Sequence, residues 1–400
     1  MMQRSLKLLA VSTMLAAFGA SHAFAQDANL LGERIKATLQ KQGISIDWSN
    51  ITQNGSQTVL EGVTFGAPNN PTRSAPIGNV TLDGVTEAGG GYTIGTTTFP
   101  NFSGTDQGVD YAAEGITITG LKIPSEGETN PIANLMLYDS AEVKSVTVRQ
   151  GGTDFFTMND LRADIDQAND QAMTFTADAD RFTANLGAIP DPKTKAVVEA
   201  MGYQNIAGDL KMRGSWAPSD GRMQLTQYDI NVENAGTLGM TIDIGGYTPQ
   251  LIQSLQDLQT QMAAQAPGAD NSAQGMAMLG LMQQITFSSM SVRFSDDSLT
   301  QKVIDFVAKQ QGVQPSDIVN QAKAIVPFAT AQLQNPALSE QVTQAVSRFL
   351  DDPSSFEIAA RPAQPVPVAQ IAGTASGNPL ELLKQLNVTV TANEAAAAPQ

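Results

Sequence analysis

The sequence predicts an α+β fold: a long, curved, mostly antiparallel β-sheet with an N-terminal helix and a helical insertion or cap near the C-terminal third. Three observations predict it. Segment after segment alternates apolar and polar residues with a period of two, the signature of half-buried strands. Charged residues make up only 16% of the 400, while Gly, Thr, Ser, Asn and Gln are plentiful, which suits solvated strand faces and turns. Between Ser298 and Leu350 the period changes to that of three amphipathic helices.

The chain begins with the pattern of a secretory signal peptide, residues 1–25. Arg4 and Lys7 form the charged region, Leu8 to Ala20 the apolar region, and Ala23-Phe24-Ala25 the small-x-small cleavage site. The expected location is therefore the periplasm, with secretion as the alternative. No later stretch has the roughly 18 uninterrupted apolar residues that a spanning helix requires, so no transmembrane segment is expected in the mature chain.

Residues 26–393 are expected to form a single elongated β-rich domain with a helical subdomain at 298–350, followed by a disordered low-complexity tail at 394–400. A helix over Leu30–Gln42 follows from Leu31, Ile35 and Leu39 at four-residue spacing, with Gly43 as its stop. Strands are predicted at Thr58–Phe65, with Val59, Val63 and Phe65 on one face, and at Asn79–Thr86, with Val80 and Leu82 together. Gly89-Gly90-Gly91 marks a turn into Tyr92–Phe99, and further strands are expected at Glu114–Ile123, Ala141–Arg149, Phe155–Ile165 and Met173–Leu186.

Two segments change face midway. Phe175, Ala177 and Ala179 share one parity and Phe182, Ala184 and Leu186 the other; Met223 and Leu225 give way to Tyr228, Ile230 and Val232. A bulge must absorb each one-residue slip, and bulges bend strands. Ile206 to Gly245 reads as a three-strand antiparallel meander whose apolar face carries Leu210, Met212, Trp216, Leu238, Met240 and Ile242.

Helices interrupt the alternation at Asp191–Gly202 and at Thr248–Gln284, the latter split near Pro267-Gly268 and Met-rich in its second half. After a strand at Ile285–Phe294, helices at Ser298–Gln311, Pro315–Gln334 and Pro336–Leu350 present three stripes. These are Leu299, Val303 and Phe306; Ile318, Ala322, Ile325 and Ala329; and Leu338, Val342, Val346 and Phe349, with Pro327 positioned to kink the second helix. A strand through Phe356, Ile358 and Ala360, extended chain from Arg361 to Val368 and a last strand through Leu386, Val388 and Val390 complete the pattern.

Composition narrows the chemistry. The chain has no Cys, and its one histidine, His22, lies in the signal peptide. The mature protein therefore has no means for Ser-His-Asp or Cys-His nucleophiles, His/Cys zinc sites, disulfides or thiol redox chemistry. The net charge is −16 overall and −18 once Arg4 and Lys7 leave with the signal peptide, which disfavours nucleic acid and anionic headgroups as partners. The carboxylates Asp164 with Asp166, and Asp178 with Asp180, stand at i, i+2 like the acids of a glycosidase, but the alternation accounts for them as a solvated face.

Asp296-Asp297 precedes a helix, where carboxylates cap; Asp351-Asp352 follows one, a better place for a cation, yet neither belongs to a calcium-loop pattern. Gly89-Gly90-Gly91-Tyr92 lacks the spacing of a phosphate-binding loop. No catalytic residue, metal or cofactor is expected.

The apolar surfaces are the better lead. Met278 and Met282, with Met262, Met276, Leu279 and Leu281, give the second helical excursion an adaptable apolar face. A bent sheet only partly roofed by helices leaves a trough that suits acyl chains. The expected role is a soluble periplasmic β-groove protein that binds lipid or another amphiphile, or supports the cell envelope, with an envelope protein as a further possible partner. The alternatives are a structural or interaction module with a filled core, and a carboxylate-based hydrolase of envelope glycans.

The exported start, the helix Leu30–Gln42, the passage Gly43-Ile44-Ser45-Ile46-Asp47-Trp48 and the strand Thr58-Val59-Leu60-Glu61-Gly62-Val63-Thr64-Phe65 resemble the opening of AsmA-type envelope proteins of Gram-negative bacteria. The Gly208–Gly246 meander is similar in style to their later strands. The resemblance implies curved sheets with apolar grooves and a part in lipid transport or outer-membrane upkeep. The chain departs from that family in replacing the N-terminal membrane helix with a cleavable signal and in its larger helical section. It carries over no functional residues.

Overall fold

A computed structural model describes residues 23–41, 43–67, 70–128, 132–133, 136–169, 172–263 and 272–395. Among the described residues there are seventeen strands and nine α-helices, and the strand pairings are antiparallel. The fold is α+β, with long antiparallel sheet, an N-terminal helix and helices toward the C-terminus. Most of the expected signal peptide lies outside the described residues, as does the expected split at Pro267-Gly268. The chain divides into two compact units, Met1–Phe102 with Ala113–Glu142, and Ser103–Ala112 with Val143–Gln400.

In the first unit, helix α1 (Ala23–Lys41) buries Leu31 and Ile35, as their spacing predicts. Gly43, at φ 78°, ends it: its N–H donates to the Gln40 carbonyl and that of Ile44 to Leu39, satisfying the last carbonyls as a left-handed cap does. Strands β1 (Ser45–Asp47), β2 (Asn50–Asn54), β3 (Gln57–Ala67), β4 (Asn70–Ala88) and β5 (Gly91–Thr98) follow. After them in the chain come β6 (Phe102–Asp106), which from Ser103 on belongs to the second unit, and β7 (Val109–Ile123), which belongs to the first from Ala113 on. Both β1 and β2 pair with β3, which pairs with β4, then β5, then β7.

The helix packs on this ladder through a core of Leu31, Ile35, Ile46, Leu60, Val63, Val80, Leu82, Tyr92, Ile94 and Ile123. The expected face of β3 needs correction. Leu60, not Val59, is buried with Val63, because the register slips between them at Gly62, whose φ of 62° makes a bulge. Gly89-Gly90 forms the expected turn, joining Ala88 to its partner Gly91.

The second unit takes β8 (Ser140–Gln150) from Val143 on and continues with β9 (Thr153–Asn169), β10 (Ala172–Asn185), helix α2 (Pro192–Ala200), β11 (Asn205–Ala217), β12 (Arg222–Val232) and β13 (Gly236–Gly245). Then come α3 (Pro249–Ala263), α4 (Ser272–Met282), β14 (Thr286–Asp296), α5 (Leu299–Gln311), α6 (Pro315–Ala331) and α7 (Pro336–Asp351). The last elements are β15 (Ser355–Ala360), β16 (Val366–Pro367), α8 (Val368–Gly377), α9 (Pro379–Gln385) and β17 (Val388–Ala392).

The ladder runs β9, β10, β11, β12, β13, β14, β15, β17, with β16 on the same edge of β14 as β15. Each helical excursion thus returns the chain to a strand beside the one it left or one place further on. Both expected face changes are bulges: the register shifts between Ala179 and Phe182 on β10, and between Leu225 and Tyr228 on β12.

Three details of the C-terminal third differ from expectation. On α5 the buried positions are Ile304 and Ala308, and Val303 is exposed; on α6 Thr330 is buried, while Ile325 is exposed. Two apolar stripes overlap on α5, and Thr330 is buried on α6 with its hydroxyl donating to the Val326 carbonyl at 2.9 Å. The Thr330 carbonyl also accepts from the Ser339 hydroxyl at the start of α7, 2.8 Å away. Helices α8 and α9 occupy a stretch with little periodicity, so that Leu386 caps α9 and the last strand starts at Val388. Glu394 is held in place, its carbonyl accepting from Arg293 at 2.6 Å, and residues 396–400 lie outside the described residues.

Candidate functional site

The registers of the second unit align the apolar parity of successive strands into one face. Leu210 stands opposite Ala179 and Ile230, Met212 opposite Ala177 and Tyr228, and Trp216 opposite Met173 and Met223. Leu238 pairs with Ile230 and Phe294, Met240 with Val292, and Ile242 with Leu225 and Met290. Phe294 and Val292 in turn face Phe356 and Ile358, which face Ala392 and Val390. Six of the eight residues singled out from the sequence therefore share one continuous apolar surface. The other two do not join it: Met278 and Met282 lie half-buried on α4, which packs against α3 and α8.

Burial along this face is uneven. At one end its own rings close it. Phe175 faces Gly214 and Phe182 lies beside Gly208, where an added Cβ would come within 2.2 Å and 2.7 Å of the phenyl carbons. Trp216 is buried there too, its Nε1 donating to the Tyr247 carbonyl at 2.8 Å. At the other end α7 lies on β17 and β15, packing Leu338, Val342, Ala345 and Phe349 on Val388, Val390, Ala392 and Phe356. Between the two ends the surface is open. Leu238 and Ile358 keep 46% and 49% of their area exposed, and Leu210, Met212, Met240, Ile242, Val292 and Phe294 are half-buried.

Ile358 and Val292 join this face without a local signal that they do so. Their alternation is legible, but the three helices α5–α7 separate them in the chain and hide that they are neighbours.

The opposite parity is polar and internally satisfied. Asp178 pairs with Arg213 at 2.8 Å, Asp164 with Arg162 at 2.6 Å, and Asp209 with Lys211 at 3.6 Å. Asp243, almost wholly buried, accepts from Arg222 at 2.7 Å and Gln224 at 3.1 Å. Its hydrogen bond, helped by Coulombic attraction to Asp243 and Asp220, outweighs desolvation and raises the Arg222 guanidinium above its ordinary value. Glu357, also buried, holds both Arg293 at 3.1 Å and Arg361 at 3.0 Å. These cationic partners give Asp164 and Asp178 a structural use.

The acidic pairs resolve similarly. Asp296 caps α5, accepting from the Thr300 N–H and hydroxyl, each at 2.8 Å. The cation beside Asp351 is the protein's own Lys323. No group of three or more His, Cys, Asp or Glu arranged to hold a metal occurs among the described residues. Nor, among them, is any helix long and apolar enough to cross a membrane.

Residues 229–393 match a family whose only description is "Uncharacterized protein". That segment begins in β12 and ends just after β17, so it takes in Leu238, Met240, Ile242, Val292, Phe294 and Ile358 of the open part of the apolar face and α7 beside it, but not Leu210 and Met212. No curated protein matches the chain.

Proposed function

We propose that the protein is an exported, periplasmic binder of lipid or another amphiphile, which it holds on the apolar sheet face between Phe175 and α7. The observation that carries this reading is the exposure of Leu238 and Ile358, 46% and 49%, within a row of apolar side chains that adjacent strands continue. Isolated exposed apolar residues are ordinary, whereas a contiguous row flanked by polar residues marks a binding surface. An acyl chain laid across it removes apolar area from water at about 25 cal/mol per Å² and needs no polar partner along its length. The net charge of −16 favours a neutral or zwitterionic amphiphile over an anionic one. A part in upkeep of the cell envelope, as the AsmA-type resemblance implies, follows from carrying such a molecule.

Native mass spectrometry and solvent extraction of the full chain, expressed with its leader and purified without detergent, test the proposal. A co-purifying amphiphile in stoichiometric amount is the expected result. A bare protein that also takes up none when offered a mixture of neutral lipids would favour the structural or interaction module instead.

A further inference from the structure

A second concavity in the same unit has a different character. It is a cleft of about 320 Å³ lined by Asp154, Arg181, Asn185, Asn205, Glu233 and Asn234, together with four smaller or apolar neighbours. Asn185 and Asn205 stand directly opposite each other at the end of the β10–β11 ladder. Arg181, Thr183 and Asn185 lie on the polar parity of β10; Ala184 and Ile206 of the other parity also line the cleft, but none of Leu210, Met212, Leu238, Met240, Ile242 or Ile358 does.

Its third asparagine is fixed from outside. Asn234 occupies the turn between β12 and β13 in the left-handed conformation, φ 57°, which asparagine tolerates better than most residues. Its carbonyl accepts from the Tyr203 hydroxyl at 2.8 Å, the Ser298 hydroxyl at 2.5 Å and the Lys302 ammonium at 3.1 Å. The next carbonyl, that of Ala235, accepts the N–H of Leu299 at the start of α5. All these backbone bonds leave the Asn234 side chain uncommitted on a rigid turn.

The charges in the cleft are already matched. Arg181 pairs with Glu233 at 2.8 Å, both about half exposed, and Asp154 pairs with Arg149 at 2.6 Å. A charged ligand would have to compete with those pairs. The carboxamides of Asn185, Asn205 and Asn234 make no side-chain hydrogen bond among the described residues. Each offers both donors and an acceptor, the complement of a hydroxyl, which also does both. The volume lies at the small end of small-molecule sites.

We propose that this cleft binds a neutral, polyhydroxylated ligand, a single sugar unit of a glycan. The amides would take the ring hydroxyls, and Arg181 and Glu233 would extend their remaining donor and acceptor capacity to the same ring.

Saturation-transfer NMR and calorimetric titration of the full chain with glucose, N-acetylglucosamine, maltose and chitobiose test it, with inorganic phosphate as the anionic control. Saturable binding of at least one saccharide is expected, weakened tenfold or more by Asn205→Ala and by Asn185→Ala and unchanged by Leu238→Asp. Circular dichroism and the melting temperature report whether each variant is folded. Absence of saturable binding to all four sugars, binding indifferent to both asparagine variants, or binding of phosphate in place of sugar would overturn the proposal. None of these outcomes bears on the apolar face.

Discussion

Phe175 lies across β10 and β11 directly opposite Gly214, so that a Cβ on the glycine would stand 2.2 Å from the phenyl Cζ. The ring occupies the space that a side chain would fill, and glycine is what lets it lie there. A methyl group at this position must displace the ring and also meets the Gln224 carbonyl at 2.6 Å. Gly214→Ala is therefore expected to destabilise the fold by about 1–3 kcal/mol, the usual cost of overpacking. Denaturant unfolding measures it. Replacing Phe175 by Leu in the same chain should recover part of the loss, as a coupling of roughly 0.5 kcal/mol or more in a double-mutant cycle.

The polar parity makes a second expectation. Glu357 keeps 9% of its side chain exposed and pairs with Arg293 through one carboxylate oxygen and Arg361 through the other. Glu357→Gln removes the anion and leaves the largely buried Arg293 beside an amide. The expected loss is about 2–4 kcal/mol, on the scale of a broken buried pair. Arg361→Ala, which leaves the Arg293 pair intact, should cost no more than about 1 kcal/mol.

Asp191 supplies a pH dependence confined to one helix. The Thr194 N–H, and after it the Thr194 hydroxyl, donate to its carboxylate and hold its pKa below the ordinary value, against a small opposing effect of desolvation. A depressed carboxylate pKa stabilises the folded form at pH values above the unfolded pKa, and that contribution disappears as pH falls through the folded value. The first turn of α2 should therefore loosen only below about pH 4. Amide exchange at Thr194 and Lys195 reads this directly: protection should drop with acid in the native chain and be low at every pH in Asp191→Ala.

Local patterns made much of this architecture legible before any coordinates. Parity changes at Ala179–Phe182 and Leu225–Tyr228 announced two bulges, since a strand cannot otherwise keep its apolar residues on one side. The change at Gly62 is not legible, because Val59 and Leu60 are both apolar and either continues the row to Val63. Helices α8 and α9 leave a similarly weak signal: Val368–Gly377 consists mostly of small residues with weak periodicity.

Of the candidate face, the meander residues were accessible because sequential strands pair. Ile358 was not, since its neighbour Val292 lies beyond three helices. Which of two overlapping stripes on α5 turns inward, that of Val303 or that of Ile304, depends on partners that a single helix does not specify. The two methionines of α4 were placed by composition alone, and composition does not say what a helix packs against.

The open stretch around Leu238 and Ile358 is tested most directly by titrating the full chain with N-phenyl-1-naphthylamine, a neutral probe that brightens in apolar surroundings. Both residues are about half exposed, so Leu238→Asp and Ile358→Asp should each change stability by no more than about 1 kcal/mol. The account predicts saturable brightening with the native chain, weakened tenfold or more in each variant. No brightening in the native chain, or equal brightening in all three proteins, would contradict it.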